Sequence, residues 1–560
     1  MPIRIYNSLT DRKERFEPLD PPKVGIYLCG PTVYKPSHIG HAVGPVIFDA
    51  IKRYLTYRGY QVTWVVNITD VEDKLIAEAA ARGVAVQDLA TEVAQNYFDA
   101  MEALQVTGID HFPRASEHIG DIIAMIERLI DNGAAYVVGG DVYFDVTSDD
   151  DYGKLSNRRI EDQTGHRELH GTGKRHPGDF ALWKAAKESE PDAVKWDSPW
   201  GRGRPGWHIE CSAMSMQLLG ETFDIHGGGL DLIFPHHENE IAQSESCTHK
   251  PFAKYWMHHG LTTFNTKKVS KSDPNMQAEL DAITLGNLLR SNSGEFLRFL
   301  ILSTHYRSPI EFSAQERSAR KKGHASFHRL FDRIAALAGR SVFDGGIDID
   351  GETKALGQLA PVISDARERF RAAMDDDFNT AAAIAVLFEI ANTVNRFVEK
   401  RHLDTSPRSP DADVAYDATR WLVALGRLLG LFVAAPEHAA AGSELLEDIL
   451  RLHVDVRATC RANKRFDLAD RIRDELDQAG VSLEDKPTGT IWRLADLPGD
   501  TLVDTLLGVH VQARAESRKA GDFELADMIR TRLADAGVIL EDKPTGTVWR
   551  VNGSNDTKSG

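Results

Sequence analysis

The residues best suited to chemistry lie near the N-terminus, in the run Tyr27-Leu-Cys-Gly-Pro-Thr-Val-Tyr-Lys-Pro-Ser-His-Ile-Gly-His41. Cys29 offers a soft metal ligand, and His38 and His41 follow it where a helix is predicted to begin. Unpaired N–H groups and the positive dipole at a helix start attract phosphate, and Gly40 would let a nucleotide approach the backbone closely. One short segment therefore offers a metal ligand and a phosphate site, although His-x-x-His alone is more often an ordinary histidine pair.

Possible partners for Cys29 lie far downstream. Cys211 ends the run Gly206-Trp-His-Ile-Glu-Cys211, and a second run spans His226 to Glu240. A helix beginning near Pro235 would place His236 and Glu240, four residues apart, on the same face. Two thiolates, one imidazole and one carboxylate form a typical zinc donor set. The sequence predicts that set from the residues Cys29, Cys211, His236 and Glu240.

Two alternatives stay open at this metal site. His237 and Glu238 are competing ligands, although they would face another side of the helix if His236 and Glu240 point inward. The two adjacent histidines are equally well explained as ordinary polar residues at a helix start. Cys247 and Cys460 have no neighbours of this kind, and we interpret them as small buried side chains.

A second phosphate-binding candidate is Lys267-Lys-Val-Ser-Lys-Ser272. Three lysines and two hydroxyls in one polar loop could neutralise a triphosphate as charge moves to a leaving pyrophosphate. Such a run by itself is usually a solvated loop. Together with His-Ile-Gly-His on an α/β domain it becomes a specific signal.

Bulk composition limits the class of protein. A chain of 560 residues is too long for one core, and about three or four domains are expected. No run of about 18 apolar residues indicates a membrane span, and four scattered cysteines suit a reducing cytoplasm. The net charge of -17 argues against indiscriminate nucleic-acid binding but permits a local basic face. Two basic clusters could form such a face or lie on ordinary solvated helices: Arg317, Arg320, Lys321 and Lys322, and Arg457, Arg461, Lys464 and Arg465.

The elements that must position these residues alternate between strand and helix. Residues 24–29 and 61–68 read as strands, and apolar spacing predicts helices over 41–58 and 70–82. This alternation predicts a Rossmann-like parallel α/β sheet. Periodicity weakens over 121–205, which we interpret as an insertion. From about residue 280 the chain reads as a helical bundle.

The C-terminal part contains an internal repeat. Phe466-Asp-Leu-Ala-Asp-Arg-Ile-Arg473 recurs as Phe523-Glu-Leu-Ala-Asp-Met-Ile-Arg530, and Leu483–Arg493 recurs as Leu540–Arg550. Two copies are too few for a solenoid. We therefore expect a small α+β module of helix and hairpin, duplicated in tandem.

Taken together, these motifs resemble the class I aminoacyl-tRNA synthetases, and within them the cysteinyl-tRNA synthetases. His38–His41 matches the first signature of the class, and Lys268–Ser272 is similar to the second, which normally reads Lys-Met-Ser-Lys-Ser. The likeness extends from near the N-terminus to about Arg493. Further segments that carry it are 27–34, Asn67-Ile-Thr-Asp-Val-Glu-Asp-Lys74, Asp179-Phe-Ala-Leu-Trp-Lys184, Ser198–Cys211 and His226–Glu240.

The resemblance implies a role for particular residues. One zinc ion per chain would be held by the four ligands predicted above, and ATP, with Mg²⁺, would be the second substrate. Catalytic contacts to ATP are implied for His38, His41, Lys268 and Lys271, and further nucleotide contacts for Gly40, Asp231 and Ser270. The amino-acid pocket would be lined by Gly30, Thr69 and Trp207.

The resemblance also implies an organisation and a reaction. L-Cysteine would be activated as cysteinyl adenylate and transferred to tRNA(Cys). Because zinc would select cysteine by its thiolate, we expect no editing domain. We further expect a cytoplasmic monomer with no membrane contact. The expected domains are a catalytic domain (1–120 and 206–265), a connective insertion (121–205), a signature-loop and stem-contact region (266–320), a helical tRNA-binding bundle (321–440), an anticodon-binding module (445–495), its second copy (500–550) and a disordered tail (551–560).

Several features depart from the family pattern or leave roles open. Val269 replaces the usual methionine, Asp273-Pro-Asn follows the second signature, and the second module copy extends past the usual end. Asp485, Trp492 and Arg493 could read unpaired bases or only pack their hairpin. Two other functions are compatible with some of these motifs. One is a zinc-dependent cysteine ligase acting on a small amino sugar, and the other is a non-catalytic tRNA-binding paralogue.

Overall fold

The computed structural model divides the chain into two compact units, Met1–Val433 and Ala434–Gly560, which are described separately. The residues described are 2–158, 173–263, 283–435, 442–462, 465–478, 481–486, 489–494, 499–519, 521–543, 546–551 and 558–559. The predicted α/β fold with an insertion, a helical bundle and a duplicated α+β module is confirmed.

The first unit begins with the elements that surround the predicted site. In chain order they are β1 Arg4–Asn7, β2 Arg12–Arg15, β3 Lys23–Leu28, α1 Ile39–Tyr57, β4 Gln61–Val66, α2 Asp73–Arg82, α3 Val86–Ala103, α4 Ile119–Asp131, β5 Ala135–Val138, β6 Asp141–Phe144, β7 Phe180–Ala185, β8 Gly203–Pro205, α5 Trp207–Leu219, β9 Phe223–Gly229, α6 Glu238–Thr248, β10 Ala253–His259 and β11 Thr262–Thr263.

Four of these strands form a parallel sheet in the order β10-β9-β3-β4. In the register of β3 and its neighbours, Tyr27 lies between Val65 of β4 and His226 of β9. The carboxyl ends of parallel strands meet at one edge of a sheet, which is where α/β folds bind ligands. Cys29 follows β3 directly at this edge, and its N–H donates to the carbonyl of Gly227 at 3.2 Å.

Helix α1 packs an apolar face on this sheet, including Val43, Ile47, Ile51 and Leu55. It begins two residues before the predicted start because His38 serves as its N-cap. Gly59 then allows the chain to turn with φ +90°, a value that residues with a Cβ rarely adopt.

Between β4 and β9 the chain forms a separate antiparallel sheet in the order β5-β6-β7-β8. Its apolar side packs with α4 and α5 in a cluster that includes Val142, Phe144, Leu182 and Trp183. This sheet lies within residues 121–205, the range predicted to be an insertion because its periodicity is weak. Short strands of four to six residues carry little periodic signal, which is why only the interruption could be predicted.

The rest of the first unit is mostly helical. Its elements are α7 Leu285–Ser291, α8 Gly294–Leu302, β12 Ile310–Glu311, α9 Ala314–Ala338, α10 Ala360–Asp375, α11 Thr380–Lys400 and α12 Pro410–Arg427. Among the described residues, α11 alone is long and apolar enough to cross a membrane. Its side chains Leu387, Ile390 and Val394 are buried in the bundle core, and a core helix of this kind passes the same test.

A buried ion pair joins this bundle to α1. The guanidinium of Arg298, on α8, is fully buried and pairs with the Asp49 carboxylate of α1. It also donates to the carbonyl oxygens of Leu104, Gln105 and Leu429. Asp49 is shared with Arg53 at 2.6 Å.

We expect Asp49→Asn to lower the free energy of unfolding of the first unit by about 3–5 kcal/mol, because it leaves the Arg298 charge buried without its partner. Urea unfolding followed by circular dichroism measures the loss. Lys250→Met is the control, since it breaks the exposed pair between Lys250 and Glu221 and should leave the free energy of unfolding nearly unchanged. Equal losses in the two variants would contradict the expectation.

The second unit contains the two copies of the repeated module. Copy one comprises α13 Gly442–Ala462, α14 Phe466–Gln478, β13 Val481–Lys486 and β14 Gly489–Leu494; copy two comprises α15 Gly499–Lys519, α16 Phe523–Asp535, β15 Val538–Lys543, β16 Gly546–Val551 and the short β17 Lys558–Ser559. Each copy is a helix pair followed by an antiparallel hairpin, as predicted.

The two copies share one apolar core. His453 and His510 occupy the same position in the repeat, and their buried rings contact each other with centroids 3.8 Å apart. Contact between equivalent residues is typical of an approximately two-fold arrangement. Arg457 is only 3% exposed in this core, so it cannot belong to the basic surface considered above.

Candidate active site and metal centre

The four predicted metal ligands converge although they are distant in the chain. Cys29 follows β3, Cys211 lies in the second turn of α5, and Glu240 lies in the first turn of α6. His236 lies in the short turn between β9 and α6. One ligand atom from each of the four residues lies within 4.8 Å of the others, and three of the residues are fully buried.

The contacts within this group suit a soft divalent cation. The Glu240 Oε1 atom lies 3.4 Å from the Cys29 sulfur and 3.0 Å from His236 Nε2. In a tetrahedral zinc site with bonds of 2.0–2.3 Å, neighbouring ligand atoms are about 3.3–3.8 Å apart. The donor set therefore fits zinc after a movement of about half an ångström, with two sulfurs, one nitrogen and one oxygen.

The electrostatics of the group favour a cation. A hydrogen bond with Cys29 lowers the pKa of Cys211 to about 6, whereas burial raises the pKa of the Cys29 thiol. Burial would also raise the pKa of Glu240, but His226 and His236 lower it well below its usual range. Burial would lower the pKa of His236, but Glu240 raises it to about 10. A thiolate and a carboxylate thus lie beside a protonated His236 at neutral pH, and a divalent cation would displace the imidazole proton when it binds.

A second donor set overlaps the first. Cys29, His226, His237 and Glu240 also place ligand atoms within 4.8 Å of one another. His237 Nε2 lies 3.3 Å from the Cys29 sulfur, while its Nδ1 contacts His258 Nε2 at 2.8 Å. This set has one thiolate instead of two, so it is the poorer match for zinc.

Glu238, the other competitor named from the sequence, has a structural role. Its carboxylate accepts backbone N–H groups from Gly153, Leu155 and Ser156 at 2.7–3.3 Å. It therefore anchors the backbone of residues 153–156 in the insertion.

The predicted phosphate-binding residues His38, Gly40 and His41 form the cap of α1. His38 Nδ1 accepts the Gly40 N–H at 3.1 Å, and His41 Nδ1 accepts the His38 N–H at 3.3 Å. Burial lowers the pKa of both rings, that of His41 to about 3, so both are neutral. Because Nδ1 accepts in each ring, Nε2 carries the proton. The two stacked rings, 3.9 Å apart, thus each have an Nε2–H donor suited to phosphate oxygens.

Lys268, Ser270 and Lys271 of the second signature lie outside the described residues, as do Val269 and Asp273. The chain on either side of that segment is anchored to the first signature. An ideal Cβ on Gly40 would lie 3.1 Å from the Thr262 hydroxyl, just before the segment. After it, the Ile283 carbonyl accepts the N–H of Ile39 at 3.0 Å.

Two of the predicted substrate-contacting residues adjoin candidate metal ligands: Trp207 packs on His236, and Gly30 directly follows Cys29. The Trp207 ring stacks on His236 with centroids 4.3 Å apart and is 37% exposed. Gly30 donates its N–H to Asn67 Oδ1 at 2.8 Å, and a Cβ there would lie 1.8 Å from the Asn67 carbonyl oxygen. Thr69 is buried, with its hydroxyl accepting from Asn67 Nδ2 at 3.2 Å. Asp231 is exposed just beyond the end of β9.

Sequence reasoning missed several buried groups beside the site. His208 Nδ1 contacts His236 Nδ1 at 2.9 Å, and His226 Nε2 contacts Glu240 Oε2 at 2.8 Å. Burial raises the pKa of Glu210, next to Cys211, and neither oxygen of its carboxyl has a hydrogen bond of good geometry in the described part of the chain. Two signals were available in the sequence. His208 directly follows Trp207, and His226 directly precedes the glycine run 227–229.

A cleft of about 840 Å³ opens beside Trp207 and the insertion. Its lining mixes cationic and aromatic side chains: Arg158, Lys174, Lys184, Phe180, Trp207 and Phe234. The Arg158 guanidinium lies 4.3 Å from the centre of the Phe234 ring. Such surfaces suit unpaired nucleotides, which stack on aromatic rings and need their phosphates neutralised.

Comparison with known protein families gives two domain matches. Residues 15–322 match the tRNA synthetases class I (C) catalytic domain, and residues 369–433 match the DALR domain. The methionyl-tRNA synthetase of Mycobacterium tuberculosis, in complex with methionyl-adenylate, has a similar fold, with a TM-score of 0.51 and 16% identity. That likeness covers 76% of this chain and 94% of the other.

Similarity to curated proteins is closer. The chain is 44% identical to the cysteine–tRNA ligase of Thermococcus gammatolerans, over 88% of this chain and 99% of the relative. It is 46% identical to the cysteine–tRNA ligases of Syntrophotalea carbinolica and Geobacillus thermodenitrificans, over 88% of this chain and 99–100% of each relative. The share of the chain that these relatives leave unmatched, about an eighth, is similar in length to one copy of the repeated module.

Proposed function

The chain belongs to the cysteine–tRNA ligase family of class I aminoacyl-tRNA synthetases, and on that premise we propose how its residues perform the reaction. It is an enzyme that uses ATP to activate L-cysteine and charges tRNA with it. The observation that best supports the residue assignments is the convergence of Cys29, Cys211, His236 and Glu240, whose ligand atoms lie within 4.8 Å of one another.

We assign Cys29, Cys211, His236 and Glu240 as the ligands of one zinc ion. Bound there, zinc supplies a centre that prefers the thiolate of cysteine to the neutral hydroxyl of serine. A pocket that discriminates by shape alone gains only about 1–3 kcal/mol between near-isosteres. The donor set thus accounts for selection of cysteine, and we expect no editing domain. Trp207, Thr69 and Gly30 then orient the rest of the amino acid.

ATP is held beside this pocket by the first signature. The Nε2–H groups of His38 and His41 donate to phosphate oxygens, and Gly40 lets the phosphates approach the backbone. Lys268, Ser270 and Lys271 neutralise the pyrophosphate, with Mg²⁺, while Asp231 contacts the ribose side. The carboxylate of cysteine attacks the α-phosphorus, and pyrophosphate leaves; positioning and charge neutralisation supply the rate.

The second step transfers the cysteinyl group to tRNA. The 2′-hydroxyl of the terminal adenosine attacks the carbonyl carbon of the adenylate, and the bond from that carbon to the bridging oxygen breaks. AMP leaves with the bridging oxygen, and the hydroxyl proton passes to a phosphate oxygen of the departing AMP. The cleft lined by Arg158, Phe180 and Trp207 is our proposed path for the unpaired 3′ end.

The remaining assignments concern partners and setting. We propose tRNA(Cys) as the tRNA and residues 266–320 as the stem-contact region. The bundle over 321–440 and the module over 445–495 are each proposed to contact tRNA. Asp485, Trp492 and Arg493 are the base-reading candidates in that module. We further propose a monomer that acts in the cytoplasm. Size-exclusion chromatography with light scattering tests the monomer.

The two other functions considered are not favoured. An amino-sugar ligase or a non-catalytic paralogue would not be expected to match cysteine–tRNA ligases over nearly their full length. Cysteine-dependent ATP–pyrophosphate exchange separates an enzyme from a binding protein, and charging of purified tRNA separates a synthetase from a small-molecule ligase.

We expect His41→Asn to reduce cysteine-dependent ATP–pyrophosphate exchange by about 100-fold or more, because a donor to the developing phosphate charge is lost. Zinc content, measured by atomic absorption, should not change. His118→Asn is the matched control. The His118 ring is not among the assigned site residues, and its Nδ1 contacts Asp121 Oδ2 at 2.8 Å. This variant should leave exchange intact. Wild-type exchange in the His41 variant would refute the assignment.

A further inference from the structure

A second group of metal-ligating side chains lies in the helical part of the first unit. His324 and His328 are one turn apart on α9 and face Glu295, in the first turn of α8. The Nε2 atoms of both histidines lie 2.8 Å from the same carboxylate oxygen, Glu295 Oε1. The three ligand atoms lie within 4.8 Å of one another.

We propose that Glu295, His324 and His328 form a binding site for a divalent transition-metal ion such as Zn²⁺. This site is separate from the one assigned to Cys29 and Cys211, and it does not depend on the function of that site. Two imidazoles and one carboxylate are a donor set that binds zinc in proteins. Here the two imidazoles lie four residues apart on one helix. No sulfur takes part, so this site differs in chemistry from that of Cys29 and Cys211.

The distances allow an ion to enter with little rearrangement. Bonds of 2.0–2.2 Å in a tetrahedral site separate neighbouring nitrogen and oxygen ligands by about 3.3–3.6 Å. The 2.8 Å contacts require the carboxylate to withdraw by about half an ångström. The thiolate site needs a comparable adjustment, since His236 Nε2 lies 3.0 Å from Glu240 Oε1.

The surroundings hold the three side chains in place. Glu295 Oε2 accepts the backbone N–H of Phe432 at 2.8 Å, which orients the carboxylate as an outer-shell hydrogen bond does at known metal sites. The ring centroids of Phe299 and His324 lie 5.3 Å apart, and those of Phe331 and His328 lie 5.6 Å apart. These rings exclude water from one side and strengthen the attraction between the carboxylate and a cation.

The carboxylate is available as an anion. Burial would raise the pKa of Glu295, but the two histidines lower it to about 2, so it is ionised throughout the neutral range. The side chains of Glu295 and His328 are 20% and 22% exposed. An ion can therefore enter from solvent and keep a water molecule as its fourth ligand. Three protein ligands with an open position are typical of exchangeable rather than structural zinc.

Cobalt(II) distinguishes the two sites because thiolate ligands give an intense charge-transfer band and nitrogen and oxygen ligands do not. The full-length enzyme is first loaded with one equivalent of zinc, desalted, and then titrated with Co²⁺ at micromolar concentration. We expect a second equivalent to bind, with weak visible absorption and without the thiolate band. Competition with Zn²⁺ should remove that absorption.

Three variants make the test specific. His328→Gln and the double variant His324→Asn/His328→Gln should lose the second equivalent and keep the first, as measured by metal analysis after equilibrium dialysis. His305→Gln, a histidine outside the cluster, should keep both. A wild-type enzyme that binds one equivalent only, or a double variant that still binds two, would overturn the proposal. Circular dichroism checks that each variant is folded, and Glu295→Gln provides a second way to remove a ligand.

Discussion

Replacing Cys211 with serine is expected to reduce cysteine activation by about 100- to 1,000-fold and to abolish most of the preference for cysteine over serine. Cys211 is 1% exposed, and its sulfur lies among the other three donors. Serine is nearly the same size, so the fold is retained, but its hydroxyl is a poor zinc ligand. What remains is a pocket selecting by shape, which supports only about 10- to 200-fold discrimination.

Two measurements check this expectation. ATP–pyrophosphate exchange with cysteine and with serine gives the ratio of kcat/KM values, and atomic absorption gives the zinc content. Cys247→Ser is the matched control, because Cys247 is equally buried and lies outside both donor sets. It should cost stability alone. A Cys211 variant that keeps the wild-type preference for cysteine would exclude the zinc-selection proposal.

The choice between the two overlapping donor sets can be tested in the same assay. His236 belongs to the set with two thiolates, whereas His237 belongs to the set with one. His236→Asn should therefore lower zinc content as Cys211→Ser does, while His237→Asn should retain the metal. Zinc loss in the His237 variant alone would favour the second set.

The sequence was sufficient to name four candidate metal ligands because each lies close to the end of a strand or the start of a helix. Cys29 follows β3, and Glu240 opens α6. Those positions border one edge of a parallel sheet, where α/β folds bind ligands. That the four residues meet there follows from the order of the strands, which only the structure shows. The same reasoning placed His38 at the start of α1, although it did not show that His38 itself caps the helix.

The supporting histidines could not be predicted in this way. His226 lies inside β9 and reaches Glu240 only because its strand neighbours β3 and β10. That neighbour relation is set by sheet order, which the sequence does not state. The cluster of Glu295, His324 and His328 was missed for a similar reason, since its carboxylate and imidazoles lie on different helices. Spacing within one helix suggested nothing about Glu295.

The repeat was visible in the sequence, but its packing was not. Equivalent positions, such as Phe466 and Phe523, showed that one module occurs twice. A tandem array and a paired arrangement have the same repeat pattern. The contact between His453 and His510 shows that the equivalent helices α13 and α15 pack against each other. The pairing means that copy two covers an apolar face of copy one.

Removing residues 500–560 is therefore expected to destabilise copy one by several kcal/mol and to lower tRNA charging by at least about 10-fold. The deletion uncovers the side of α13 that carries Ile449, His453 and Val456, all fully buried in the shared core, and exposing each large apolar side chain costs about 1.5–3 kcal/mol. ATP–pyrophosphate exchange should stay within about twofold of wild type, because the assigned adenylation residues lie in the first unit.

Two shorter changes separate this effect from simple loss of the tail. Removing only residues 552–560 takes away just β17 from the described structure and should leave tRNA charging unchanged. His510→Glu in the full-length enzyme places a charge against His453 in a buried contact, which should destabilise the second unit by about 3 kcal/mol or more without shortening the chain. Charging is measured with purified tRNA, and unfolding of the second unit by proteolysis. If the long deletion charges tRNA as the full-length enzyme does and resists proteolysis equally, copy two is a dispensable appendage and the paired core does not support tRNA binding.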